Sequence, residues 1–139
     1  MDLTEALTFA RDRRQGTLVT IGGKGRPQIS NIMFVPGPGD TLRISITDDR
    51  VKTRNLRRDP RASLYVQGKN FWTWVVIEAS AELSAVAADP HDATVDALVE
   101  YYRLGSGEHS DWEEYRAAMV TDKRLVLTLH PERAYGLGV

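Results

Sequence analysis

The sequence contains no cysteine. Disulfides, thiolate metal sites and cysteine nucleophiles are therefore excluded together, and nothing points to an oxidising compartment, so a cytoplasmic location is the expectation. No run approaches the roughly 20 apolar residues that cross a bilayer. The opening Met1-Asp2-Leu3-Thr4-Glu5 also lacks the basic start and apolar stretch of an export signal, so neither a membrane span nor a leader is expected. Charge of one sign is missing as well: 18 Lys and Arg face 19 Asp and Glu, a net charge of −1, which argues against a nucleic-acid partner. His91, His109 and His130 are too far apart for a two-histidine metal motif, so no metal site is expected. There is no G-x-S-x-G elbow and no Walker loop, and Gly22-Gly23-Lys24-Gly25 lacks the spacing of a dinucleotide fingerprint. An enzyme built on this chain would take its hard chemistry from a bound cofactor.

What is present reads as one globular domain over residues 1–139, with 42% hydrophobic and 27% charged residues. Leu3, Ala6, Leu7 and Ala10 follow a helical stripe that Gln15-Gly16 ends. The period then falls to two. Strands are predicted over 17–21 and 27–35 around a Gly22–Gly25 hairpin, and over 42–47 after Pro36-Gly37-Pro38-Gly39-Asp40. Asp48-Asp49 can cap a short helix that ends before Asp59-Pro60. Two more strands are expected over 62–67 and 71–83. In the second, Trp72, Trp74, Glu78, Ser80 and Glu82 share one face, and Phe71, Val75, Ile77, Ala79, Ala81 and Leu83 share the other. Asp89-Pro90 starts a helix that Gly105 and Gly107 break, Ser110-Asp111-Trp112-Glu113 starts another, and strands over 124–130 and 134–137 complete the chain. Most strands are joined by tight turns. The architecture expected is mainly β: an antiparallel sheet closing into a small barrel, with peripheral helices.

Three segments carry candidate chemistry. Arg50-Val51-Lys52-Thr53-Arg54-Asn55-Leu56-Arg57-Arg58 concentrates cations in an otherwise balanced chain. Arg50, Lys52 and Thr53 fall in the first turn of the predicted helix, where the macrodipole disfavours cations and free N–H groups attract anions. Basic side chains, a hydroxyl and helix N–H donors together suit a phosphate ester. The same run also reads as a solvated face neutralised by Asp48, Asp49 and Asp59. Arg26-Pro27-Gln28-Ile29-Ser30-Asn31 is unusually rich in hydrogen-bonding groups: it is either an edge strand facing water or, with Ser45, the polar rim of a ligand pocket at the barrel mouth. Trp72 and Trp74 fit a core, a subunit interface or the wall of a flat ligand.

The run 25–31, the segment 52–63 and the stretch Gly107-Glu108-His109-Ser110-Asp111-Trp112 resemble actinobacterial deazaflavin-dependent proteins of the pyridoxamine-5′-phosphate-oxidase-like superfamily. That resemblance implies a split β-barrel of the FMN-binding type, a homodimer, and coenzyme F420 in a groove between the subunits. It implies that Arg50, Val51, Lys52 and Thr53 hold the cofactor phosphate. Arg26, Pro27, Gln28, Ile29, Ser30 and Asn31, with Ser45 and Ile46, would line the ring and ribityl portion, and Trp72, Thr73, Trp74 and Val75 would approach from the partner. The implied reaction is hydride transfer to a small heteroaromatic or conjugated substrate. Solvent, Ser30 or Tyr65 could supply the proton, so no catalytic residue is assigned. Two alternatives stay open: an FMN-binding oxidoreductase of the same superfamily, since FMN would suit the same phosphate site, and a protein that binds coenzyme F420 without turnover.

Overall fold

Asp2 and Glu5 cap each other at the start of α1 (Leu3–Arg11), and the helix buries Ala6, Leu7 and Ala10, the predicted stripe. The computed structural model describes residues 1–138. After α1 come β1 (Gln15–Ile21), β2 (Pro27–Met33), β3 (Val35–Pro36), β4 (Leu42–Thr47), α2 (Val51–Arg58), β5 (Arg61–Gln67), β6 (Trp74–Leu83), α3 (Ala93–Ser106), α4 (Trp112–Thr121) and β7 (Arg124–Leu137). The strands form one antiparallel sheet in the order β2-β1-β5-β6-β7-β4-β3. The two edges of that sheet, β2 and β3, are consecutive in the chain. Residues 27–36 therefore leave one edge and join the other, which curls the sheet into a split barrel, as expected.

The predicted strand over 27–35 is broken at Phe34. Its side chain is fully buried and its N–H bonds the Arg14 carbonyl instead of a ladder partner. Phe34 packs inside the barrel with Leu18, Ile44, Leu64, Ile77 and Leu127, and α1 covers the same core. A second cluster forms outside the barrel, where Val95, Leu98, Tyr115 and Met119 of α3 and α4 close over Val126.

Other boundaries also depart from expectation. The N-cap of α3 is Asp92, not Asp89: its carboxylate accepts the N–H groups of Val95, Ala88 and Asp89, whereas Asp89 accepts that of His91. Gly105 stays inside α3, and the helix ends only at Gly107, whose φ of 84° suits glycine. Asp111 caps α4 in place of Ser110. Residues 124–137 form one strand instead of two, and Phe71 and Trp72 lie in the turn before β6, outside the strand predicted to begin there.

Phe34→Ala should lower stability by about 3–5 kcal/mol through loss of a fully buried ring. Urea unfolding checks this as a fall in midpoint with an unchanged slope.

Candidate cofactor cleft

Among the described residues, β2 forms a ladder with β1 alone. β4 pairs with β7 along its whole length but with β3 only at Leu42 and Arg43. Beyond β3, the edges of β2 and β4 lie close with no ladder between them, and this is the split in the barrel. Lys52 Nζ donates to Ser30 Oγ of β2 at 3.2 Å, and Arg124 Nη1 donates to Ser45 Oγ of β4 at 3.4 Å. Tyr101 of α3 spans the seam: its hydroxyl donates to the Met33 carbonyl at 3.0 Å and lies beside the Ser45 backbone.

The charge here is unbalanced. Burial pushes the Lys52 ammonium below the usual lysine range, and the like charges of Arg50 and Arg124 push the same way. Burial raises the Tyr101 phenol, against the pull of Arg124. Burial also carries Tyr115, whose hydroxyl donates to the Leu98 carbonyl, up to about 12. Among the described residues, Arg50, Lys52 and Arg124 form no ion pair. Among the described residues, the Nε of Arg124 is shielded from water with no hydrogen-bond partner. Asp49, the acid beside Arg50, accepts the Thr47 hydroxyl at 2.7 Å, and that bond lowers its pKa.

α2 supplies the remaining donors. Aspartates cap α1, α3 and α4, but the N-cap of α2 is Arg50, with no side-chain capping bond and no acid in the first turn. This corrects the expectation that Asp48-Asp49 caps it. A cationic N-terminus is unfavourable unless an anion occupies it. The rest of the basic run is a partnered surface: Arg57 pairs with Asp48, and Arg58 donates to the Ile21 carbonyl and Asn55 Oδ1. The solvated-face reading of the run therefore holds for Arg57 and Arg58, while Arg50 and Lys52 have no acid partner among the described residues.

The sequence-predicted site divides in the same way. Ser30, Ser45, Arg50 and Lys52 gather at the seam, and Val51 is exposed beside them. Thr53 is wholly buried and donates its hydroxyl to the Thr47 carbonyl at 2.6 Å, so only its backbone N–H can face an anion. Ile46 and Val75 point into the barrel core and offer a ligand no side chain. Gln28 turns inward and accepts from Thr20, while Arg26 and Pro27 are exposed at the hairpin. Asn31 points away from Ser30, to the outer face of the sheet, because adjacent strand residues alternate; there it accepts from Thr17. Sequence reasoning missed Tyr101 and Arg124. Each is remote in sequence from the seam, and the available signal was an arginine beginning an apolar alternation.

The outer face of the sheet carries a cross-strand row of Asn31, Thr17, Tyr65, Val76 and Tyr135. Trp74 stacks near Tyr65, with centroids 6.0 Å apart, and meets Tyr135 edge-on at 6.1 Å. Ile29 is 62% exposed on the same face. Trp72 is 69% exposed in the adjoining turn, edge-on to Phe71, and Thr73 there donates to Asn70 Oδ1. Neither tryptophan is core. A cavity of about 630 Å³ opens on this face between Gln15, Asn31, Met33, Tyr65 and Gln67.

The family model for pyridoxamine 5'-phosphate oxidase matches residues 3–138. The chain belongs to that family. Among solved structures, one described as an F420 reductase has a TM-score of 0.69 at 19% identity, over 92% of this chain and 94% of the other. The conserved hypothetical protein Rv2991 from Mycobacterium tuberculosis has a TM-score of 0.72 at 24% identity, over 96% and 82% of the two chains. HutZ, the heme storage protein from Vibrio cholerae, has a TM-score of 0.66 at 20% identity, over 98% and 94%. These likenesses show a shared fold. No helix among the described residues of this family member is long and apolar enough to cross a membrane.

An anion at α2 would give Lys52 the favourable neighbour that Arg50 and Arg124 deny it, raising its pKa on binding. Binding of pyrophosphate should therefore take up protons in the alkaline range, and its affinity should fall as pH rises through the depressed pKa of free Lys52. Calorimetry in buffers of different ionisation enthalpy reads this uptake, and Lys52→Met should abolish it.

Proposed function

We propose that this family member is an oxidoreductase that binds coenzyme F420 in a groove completed by a second copy of the chain. The observation carrying this reading is the uncapped, cationic start of α2, set against two unpaired strand edges. Arg50, Lys52 and the first-turn N–H groups suit the cofactor phosphate, with Lys52 held in place through Ser30. Ser45, Arg124 and the open edges of β2 and β4 suit the polar rim of a flat ring. The likeness to an F420 reductase favours the deazaflavin over FMN, whose phosphate the same residues would suit.

The bound cofactor would supply hydride transfer to a small conjugated substrate. The chain's own share is binding, orientation and exclusion of water. Tyr101, whose phenol burial raises further, Ser30 and Ser45 are the hydroxyls at the seam that can carry a proton. Tyr65 lies across the sheet, stacked near Trp74. Tyr65, Trp74, Val76, Tyr135 and Ile29 form the apolar face we assign to a homodimer, which would bring the exposed Trp72 toward the partner's cleft.

Titrations with coenzyme F420, FMN and heme under one salt condition test the reading. Coenzyme F420 should bind tightest, and preference for FMN or heme, or binding of none, would overturn it. Lys52→Ala should weaken coenzyme F420 binding by about 1.5–3 kcal/mol, the scale of a hydrogen bond to a charged group. Sedimentation at micromolar concentration should give a dimer, and the double variant Tyr65→Asp, Tyr135→Asp should give a monomer with impaired cofactor binding.

A further inference from the structure

A second cavity, of about 380 Å³, lies under the first two turns of α3, whereas Tyr101 of the cleft sits in the third turn. Its floor is the outer face of β4 and β7, and its walls include Pro38, Ala93, Ala97 and Val126. Arg43 of β4 and Thr128 of β7 stand opposite each other in this floor, and Thr128 stands opposite Glu82 of β6. One row of side chains therefore runs from a cation to a carboxylate across two strand spacings, about 10 Å.

The ends of that row are not equivalent. Glu82 is satisfied, bonded to His130 at 2.7 Å. Arg43 is not: its Nε is shielded from water with no hydrogen-bond partner, and among the described residues the guanidinium pairs with no acid. Glu100 shares a neighbouring cavity with Arg43 but forms no ion pair with it. Nε is closed to a ligand as it is to water, but the two Nη groups are not shielded, and an acid there would neutralise a guanidinium that has no other among the described residues.

We propose that this cavity is a second ligand site, which takes a small organic carboxylate with an apolar body. The carboxylate meets the guanidinium fork of Arg43, and the body lies against Ala93, Ala97 and Val126. A planar pair of oxygens matches the end of the guanidinium that carries its two Nη groups. The apolar walls favour a carboxylate over inorganic phosphate, which would leave them bare and would bring a second negative charge toward Glu82. The site adjoins the cleft, since Val126 stands opposite Ser45 and Arg43 shares a neighbouring cavity with Tyr101, but it uses neither Ser30 nor Lys52 and stands whichever cofactor the cleft holds.

Benzoate is the probe, titrated into the full chain and followed by amide chemical shifts. Saturable shifts are expected at Arg43, Thr94 and Thr128, with inorganic phosphate binding more weakly. Arg43→Gln should weaken benzoate at least about tenfold, the scale of one charge-assisted hydrogen bond. Arg43→Lys keeps the charge and the stem but not the fork, and should fall between wild type and Arg43→Gln. Lys52→Ala should bind benzoate as wild type does. The proposal is overturned by shifts that do not saturate, by shifts centred on Ser30 and Lys52, by wild-type binding in a folded Arg43→Gln protein, or by phosphate binding as tightly as benzoate.

Discussion

Every strand edge presents backbone donors and acceptors that must pair with another strand, with water or with a ligand. In this chain that obligation is divided within one segment. Residues 27–33 pair with β1, residues 35–36 pair with β4, and Phe34 makes the change of partner by burying its ring and bonding the Arg14 carbonyl. A longer β3 would have zipped the barrel shut against β4. A straight β2 would have left the sheet open and flat. Because β3 has only two residues, the sheet curls without closing, and the seam beside Ser30 and Ser45 leaves its backbone groups without a strand partner among the described residues.

The electrostatics follow from that geometry. α2 fills the mouth of the barrel, where Asn55 donates to Thr20 and Thr53 to the Thr47 carbonyl. These buried contacts fix the register of the helix and so aim its first turn at the seam. An aspartate at the N-cap would stabilise the helix by about 1 kcal/mol, as such residues do at the other three. The chain has Arg50 there, with Lys52 two residues on and Arg124 across the seam. Helix stability is given up locally for a concentration of positive charge, a pattern expected where an anion binds.

Much of this was legible because it is local. Alternation marked β1, β4 and most of β6, the Gly22–Gly25 turn marked the first hairpin, and the basic run stood out against a neutral chain. What was hidden depends on contacts distant in sequence. Thr53 reads as a free hydroxyl until the Thr47 carbonyl is found beside it. Ile46 and Val75 are a different case: strand parity, which is local, already set Val75 with Ile77 and Ala79, and both side chains lie in the core despite sitting within candidate motifs. Arg124 and Tyr101 join the site only because β7 returns beside β4 and α3 packs across both. The helix starts were misplaced by one or three residues because Asp89 and Asp92, like Ser110 and Asp111, offer equivalent caps. Only the loop geometry chooses between them.

One irregularity in β7 links the two surfaces of the molecule. Ser80 opposes His130 and Ala79 opposes Pro131, but Glu78 opposes Arg133, so Glu132 is an extra residue without a partner. A strand's side chains alternate, and one inserted residue moves all that follow to the other face. Before the bulge, Val126 and Thr128 point outward to α3 while Leu125, Leu127 and Leu129 fill the barrel. Without it, Glu132 would stand opposite Glu78, and Tyr135 would turn into the core. With it, Arg133 meets Glu78 in an ion pair at 2.7 Å, Ala134 packs inward, and Tyr135 and Leu137 join Trp74 on the outer face. A single strand thus places Arg124 at the seam at one end and adds Tyr135 to the outer aromatic face at the other. The bulge is the device that lets one alternating sequence serve both.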